Sequence, residues 1–247
     1  MAPLITHIVV GERVFARMAS WPYGPFLLGC VLADVNSFTE IDRRRTHFVG
    51  RPAADGEVAF SQSCTRFLRQ LSSLLPRPWN ELAAGDQAFV GGYLCHLAAD
   101  EVWKRFTWEL MHGLGIDSWT HFPVPPGVVF TAFGVLTRQR LQRPEAVSSA
   151  LVGVAVPNVL AHVPHSAFQT MWEITRDHVS DGRRPASYFD LLERQGRPKS
   201  EVEAVRERHE QYWDQAVALI EDAGEPERYL QAAIRRGLEM MPRLWTG

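Results

Sequence analysis

The stretch GYLCHLAADEVW, residues 92–103, sets a histidine and an aspartate four residues apart in an otherwise apolar run. On a helix, residues i and i+4 share a face, so His96 and Asp100 point the same way. Phe89, Tyr93 and Leu97 fall on that face too, which turns it inward. A buried carboxylate costs several kcal/mol unless it is paired or binds a cation. The spacing therefore suits two ligands offered to one metal ion. The plainer alternative is a His–Asp hydrogen bond inside a core. Gly91 and Gly92, each costing about 1 kcal/mol relative to alanine in a helix interior, imply a close neighbour here.

Three more polar residues stand among apolar ones. His7 shares the side of Val10, Val14 and Met18, Asp34 closes LLGCVLAD, and His47 follows three arginines in RTHF. Singly they read as a core histidine, a turn cap and a loop residue. Together with His96 and Asp100 they make a ligand set of imidazoles and carboxylates suited to zinc, and also to manganese or iron. An ion so held lowers the pKa of a bound water and polarises a phosphoryl or carbonyl oxygen. Asp34 or Asp100 could take the proton from that water. One of Arg43, Arg44 and Arg45, with Arg45 the candidate, would hold a phosphate by a bidentate pair if it turned inward. Tyr93 and Trp103 are candidate pocket walls. His162 and His165 in AHVPHSAFQ are candidates for lining the site or adding ligands. His112, His121, His178 and His209 read as surface or loop residues.

Helical periodicity dominates the elements that must position these residues. Helices are expected over 4–18, 25–34, 60–75, from an Asp86 cap to His112, and over 128–142, 145–177, 187–195, 198–222 and 225–240. Pro157 and Pro164 must kink or break the sixth of these. Residues 36–59 read as irregular, 198–222 as a charged surface helix, and no alternating strand is visible. The expected class is all-α: one multi-helix domain over 1–247, with the site in 1–112 and pocket-completing helices in 113–247. A net charge of -2 with 22% charged residues argues against a nucleic-acid partner held by bulk electrostatics. Cys30, Cys64 and Cys95 suggest neither a disulfide framework nor a cysteine zinc site, which suits a reducing, cytoplasmic location. The first apolar run lacks a preceding basic region, so no export signal is expected. No apolar stretch reaches about 18 residues, so no membrane span is expected either. Segment 124–136 reads as a buried or partly exposed helix. HExxH, a P-loop, GxGxxG, GxSxG and an adjacent His-Asp doublet are absent.

The pieces THIVVGERV, LLGCVLADV, RTHF and GYLCHLAADEVW, in that order over about residues 4–106, resemble the zinc-dependent phospholipase C family, which is related to the S1/P1 nucleases. The resemblance implies that fold. It also implies that Asp34, His47, His96 and Asp100 form one metal site, and that His7 belongs to a neighbouring site that Asp100 bridges. The departures are specific. The family's Pro-x-His after the aspartate is replaced here, with Phe106 in the histidine's place. Its His-x-x-x-Glu has only His165-x-x-x-Gln169 as an analogue, and its exposed N-terminal tryptophan has no counterpart. One or two ions are therefore expected rather than a trinuclear centre.

The function expected from these features is metal-dependent hydrolysis of a phosphoester, a phosphodiesterase or phosphomonoesterase activity on a small molecule or lipid headgroup. Two alternatives stand beside it. The same fold could serve a non-hydrolytic metal-assisted reaction in small-molecule biosynthesis, such as a cyclisation, elimination or isomerisation. Or the chain could be a non-enzymatic helical binding protein with a buried polar network. A cationic wall beside the metal favours the first, a largely apolar pocket the second, and failure to bind metal the third.

Overall fold

The computed structural model describes residues 2–18, 20–49, 62–116, 121–180, 188–222 and 225–244. Among those residues the regular elements are all helices, joined by turns and loops, and none is a strand. The helices are α1 (Leu4–Phe15), α2 (Tyr23–Leu32), α3 (Arg43–His47), α4 (Ser63–Leu74), α5 (Ala84–Gly113), α6 (Pro126–Arg138), α7 (Pro144–Leu151), α8 (His165–Ser180), α9 (Tyr188–Arg194), α10 (Lys199–Asp222) and α11 (Glu225–Met240). A 3₁₀ segment, Ala33–Ser37, follows α2 directly.

The long helix α5 is the axis, and α2, α11, α1 and α4 pack on it. From Ala88 to Glu101 every residue of α5 is buried, so this part lacks the polar face of a surface helix. The glycines explain how close its neighbours come. A Cβ at Gly92 would collide with the Phe26 carbonyl oxygen of α2, and one at Gly29 with the Phe89 carbonyl oxygen of α5. The two backbones therefore touch where each has no side chain. Gly91 makes room for the Trp21 ring on another side.

Several details differ from the expectations. Asp86 lies in the first turn of α5, where its charge favours the helix dipole, but the N-cap is Ala83 and no side chain caps the helix. Within 36–59, where no element was expected, α3 forms because the Asp42 side chain accepts a hydrogen bond from the Arg44 N–H at 2.8 Å. It stops at Phe48, which takes φ 53°, a left-handed cap. The remainder of that segment beyond residue 49 lies outside the described residues. Pro157 and Pro164 sit in a non-helical stretch, 152–164, that separates α7 from α8. His209 is buried rather than on the surface. Its Nε2 meets Thr131 Oγ1 of α6 at 3.0 Å, tying α10 to α6. No helix among the described residues is long and apolar enough to cross a membrane.

Two buried carboxylates bind the helices together. Glu12 of α1 accepts from the backbone N–H groups of Gln142 (2.9 Å) and Arg143 (2.6 Å) at the start of α7. Glu101 of α5 accepts from the Cys64 N–H at the start of α4 (2.9 Å) and from Arg236 of α11 (Nε 3.0 Å, Nη2 2.9 Å). Both satisfy helix N-termini that would otherwise leave donors unmet.

Replacing Gly92 by alanine forces α2 and α5 apart against backbone atoms that no rotamer change can move. We expect a loss of roughly 1–3 kcal/mol, read by urea denaturation at constant m-value.

Candidate metal centre

Four segments deliver the polar residues to one place. His7 comes from the first turns of α1. Asp34 comes from the 3₁₀ segment, at φ -82°, ψ 17°, where the chain leaves helical geometry. His47 is the last residue of α3, and His96 and Asp100 lie one turn apart on α5. All five are 1% exposed or less. One ligand atom from each of Asp34, His47, His96 and Asp100 lies within 4.8 Å of the others, so this buried group could hold a metal ion.

The hydrogen bonds behind the ligands fix their orientation. His96 Nδ1 lies 2.8 Å from the Cys30 carbonyl oxygen. A carbonyl only accepts, so Nδ1 carries the proton and Nε2 faces the cluster. Cys30 is in the last turn of α2, where carbonyls lack helical partners, and the glycine contact brings it within reach. His47 Nδ1 lies 2.8 Å from Thr46 Oγ1, whose hydroxyl donates to Asn36 Oδ1 (3.1 Å) or the Arg43 carbonyl (3.3 Å). His47 Nδ1–H therefore donates to Thr46, and His47 Nε2 also faces the cluster. Tyr93 Oη donates to the Thr46 carbonyl and holds that turn in place. Such outer partners, which set the tautomer and ring direction, are typical of metal-ligating histidines.

The two Nε2 atoms are 3.3 Å apart. Two lone pairs at that distance repel unless a proton or a cation lies between them. Asp34 Oδ1 is 3.1 Å from His47 Nε2 and 3.5 Å from His96 Nε2, and Asp100 Oδ2 is 3.4 Å from His47 Nε2. The other oxygens turn the opposite way: Asp34 Oδ2 and Asp100 Oδ1 lie 4.0 and 3.7 Å from His7 Nε2. Asp100 Oδ1 also accepts from the Ala2 N–H at 3.0 Å. Each carboxylate thus presents one oxygen to the His47/His96 side and one to the His7 side. The His7 ring stacks on His96 with centroids 3.7 Å apart.

Neither oxygen of Asp34 and neither ring nitrogen of His7 has a well-directed hydrogen bond, though all are buried. Glu12 and Glu101, buried to a similar depth, are fully engaged. Unmet buried polar atoms are rare because each costs about 1–3 kcal/mol. Their concentration here, beside converging imidazoles, fits a divalent ion, and two nitrogens with two oxygens suit a tetrahedral one.

Charges follow the same geometry. Burial, then the neighbouring His96 imidazole, pushes His7 down to about 3, so it is neutral. Burial also lowers His47, partly offset by Asp34. Burial opposes a proton on His96 as well, but the Asp34 and Asp100 charges outweigh it and raise His96. Burial would raise Asp34, yet His96 and His47 hold it well below the usual carboxylate range. Asp100 is likewise held low against burial by the positive charge and imidazoles around it.

Arg43 supplies a further cation. Its Nη2 hydrogen-bonds Asp100 Oδ2 and its Nη1 lies 3.6 Å from Asp34 Oδ1. These are the oxygens that face His47, so the guanidinium and a metal ion compete for them. The Arg43 side chain is 29% exposed, which makes it the cluster's edge toward solvent. Of the three arginines, the one that enters is Arg43 and not Arg45. Arg45 is exposed and donates to the His162 carbonyl at 2.9 Å. The signal was available: with Asp42 as cap, Arg43 shares a helix face with Thr46 and His47, and Arg45 does not.

The remaining candidates surround the cluster at greater remove. Tyr93 is fully buried, stacked on Phe67, and acts through Thr46. Trp103 belongs to an aromatic cluster with Phe106, Phe133 and Tyr229. His162 packs against Phe48 and Tyr93, and burial pushes it down to about 4. His165 Nε2 bonds the Val156 carbonyl at 2.9 Å, which ties down the loop before α8. Neither His162 nor His165 is among the four converging ligands.

Because the Asp34 and Asp100 charges favour a proton on His96 that a metal must displace, zinc affinity should rise with pH, with protons released on binding. Calorimetry in buffers of different ionisation enthalpy reads their number. Arg43→Gln should raise zinc affinity at least ten-fold while lowering the stability of the metal-free protein, since two buried carboxylates then lose their counter-charge. Unchanged affinity would mean that the guanidinium does not compete.

No protein-family model, curated protein or solved structure matches the chain.

Proposed function

We propose that the chain is a metal-dependent hydrolase of phosphoesters, with Asp34, His47, His96 and Asp100 holding the ion and His7 available to a second one. The observation that carries this reading is the set of unmet buried atoms: both Asp34 oxygens lack directed partners while two imidazole nitrogens converge on them. Zinc suits this donor set, and manganese or iron would also fit. The His7 side offers fewer donors, because the Ala2 N–H already occupies Asp100 Oδ1.

A bound divalent ion supplies a water of lowered pKa and a Lewis acid for a phosphoryl oxygen. The chain's own residues do the rest. Asp34, buried and held anionic, can take the proton of an attacking water. Asp100 can do so through the oxygen shared with Arg43. Arg43 stands at the solvent edge, so once released from the carboxylates it can pair with two oxygens of a phosphate. The surrounding core excludes bulk water, which strengthens each of these interactions.

One observation favours a second reading. A cavity of about 660 Å³ beside the cluster is walled mainly by apolar groups. A largely apolar pocket suits a non-hydrolytic reaction of a hydrophobic molecule on the same metal. Both readings need the ion. A binding protein with a buried network does not.

Elemental mass spectrometry on protein purified without added metal tests this first. About one to two equivalents of a transition metal, lost in His96→Ala, are expected. Phosphoester hydrolysis should then vanish with chelator, and Asp34→Asn should lower kcat by about 10²–10⁴-fold. Metal retained without hydrolysis of any phosphoester would move the assignment to the second reading. A metal-free wild type would leave a buried polar network.

A further inference from the structure

Only two of the chain's 26 lysines and arginines are lysines, Lys104 and Lys199. Lys199 is exposed at the start of α10. Lys104 is partly buried on α5, one turn beyond Asp100. His96, Asp100 and Lys104 follow one another at four-residue intervals along one side of the helix. Helical side chains lean toward the N-terminus, so the Lys104 ammonium reaches back over the Asp100 turn. Lys104 also lines a cavity of about 260 Å³ with Trp103, Phe106, Phe130 and Phe133. Rings rather than water thus surround part of it.

The acids near this ammonium are taken by others. Asp100 Oδ1 accepts from the Ala2 N–H, and Asp100 Oδ2 accepts from Arg43. Glu101 accepts from the Cys64 N–H and from Arg236. Among the described residues the Lys104 ammonium makes no hydrogen bond and no ion pair. Burial lowers its pKa, the Asp100 charge opposes that, and the Arg43 guanidinium adds to it. Arg43 is incompletely paired as well. Its Nη1 is buried, 3.6 Å from Asp34 Oδ1, and has no directed hydrogen bond. Two cations from two elements therefore flank Asp100 at the cluster's solvent edge, both with donors to spare.

We infer that Arg43 and Lys104 form the anion-recognition pair of the cluster, and that they select a phosphomonoester, a dianion with three terminal oxygens, over a diester. This rests on the reading of the cluster as a phosphoester centre, and it adds which phosphoester. With an ion on Asp34 and Asp100, Arg43 is released. Ion, guanidinium and ammonium then make three cationic groups, one for each terminal oxygen of a monoester. A diester has two terminal oxygens and one charge, so it leaves a cation unmet. The guanidinium fork spans oxygens in a plane, whereas the compact ammonium can grip one from a narrow space.

The test is calorimetry with methyl phosphate against dimethyl phosphate, on the full chain with and without zinc. At about pH 7.5 the monoester is mostly a dianion, since its second pKa is about 6. In both states methyl phosphate should bind roughly ten-fold or more tighter than dimethyl phosphate, and tightest with zinc. Lys104→Gln removes a charge-assisted hydrogen bond and should weaken methyl phosphate roughly ten-fold. It should weaken dimethyl phosphate less and leave zinc content unchanged. Lys199→Gln, which removes the same charge from the exposed surface, should change none of these values. Equal affinity of the wild type for the two esters, or indifference to Lys104→Gln, overturns the inference. Zinc content and hydrolysis, measured on the same samples, judge the metal reading separately. A chain without zinc that still prefers methyl phosphate through Lys104 keeps the anion pair and loses the hydrolase. A zinc-dependent hydrolase indifferent to Lys104→Gln keeps the reaction and loses this inference.

Discussion

The closest constraint in the molecule is the contact between α2 and α5, where Gly29 and Gly92 let two backbones touch. Helices with ordinary side chains at the crossing sit about 8–10 Å apart. Here the missing side chains remove the usual spacer, and the end of α2 is drawn onto the face of α5. That brings the Cys30 carbonyl to His96 Nδ1 and sets Asp34, four residues later, against His96 Nε2. The site is thus a product of packing. Its ligands are placed by helices that would pack this way for hydrophobic reasons alone, since nearly every neighbouring residue is apolar and buried.

The buried acids divide into two kinds. Glu12 and Glu101 are each met by backbone N–H groups, and Glu101 by an arginine as well, so they work as clamps between helices. Asp34 and Asp100 instead face imidazoles and each other across a gap that a proton or a cation relieves. Arg43 relieves it partly, from one side, and leaves its own Nη1 without a directed partner. The contrast within one molecule makes the cluster distinctive. Burial alone does not mark a site, and neither does charge. Burial with incomplete pairing does.

Much of this was legible in the sequence because the anomaly is compositional: His7, Asp34, His47, His96 and Asp100 are polar residues in apolar surroundings, and i, i+4 spacing put two of them on one face. The helices were legible for the same reason, through period and breakers. What could not be read was tertiary. His209 looks like a surface residue because its partner, Thr131, is on another helix. The choice between Arg43 and Arg45 is a different case, local rather than tertiary: with Asp42 as a cap, Arg43 and not Arg45 shares a face with Thr46 and His47. Asp86 has the right type for a cap, yet the helix begins two residues earlier. The large cavity left no trace in the sequence, since its walls come from segments between residue 2 and residue 213 whose facing sides no local pattern specifies.

Helix α5 carries these roles at a fixed angular phase. Gly92 meets α2, His96 one turn later meets the Cys30 carbonyl, and Asp100 one turn later meets Arg43 and Ala2. Glu101, only one residue further and so about 100° around the axis, faces α4 and α11 instead. The step between the cluster's carboxylate and a clamped one is therefore a single residue. A one-residue insertion between Gly92 and Asp100 would swing the cluster's acid toward the clamp position and unseat both, whereas a length change near a whole turn would roughly restore the phase. The helix can change its length here only in turns, and a lineage carrying this fold would vary it in multiples of three or four residues or not at all.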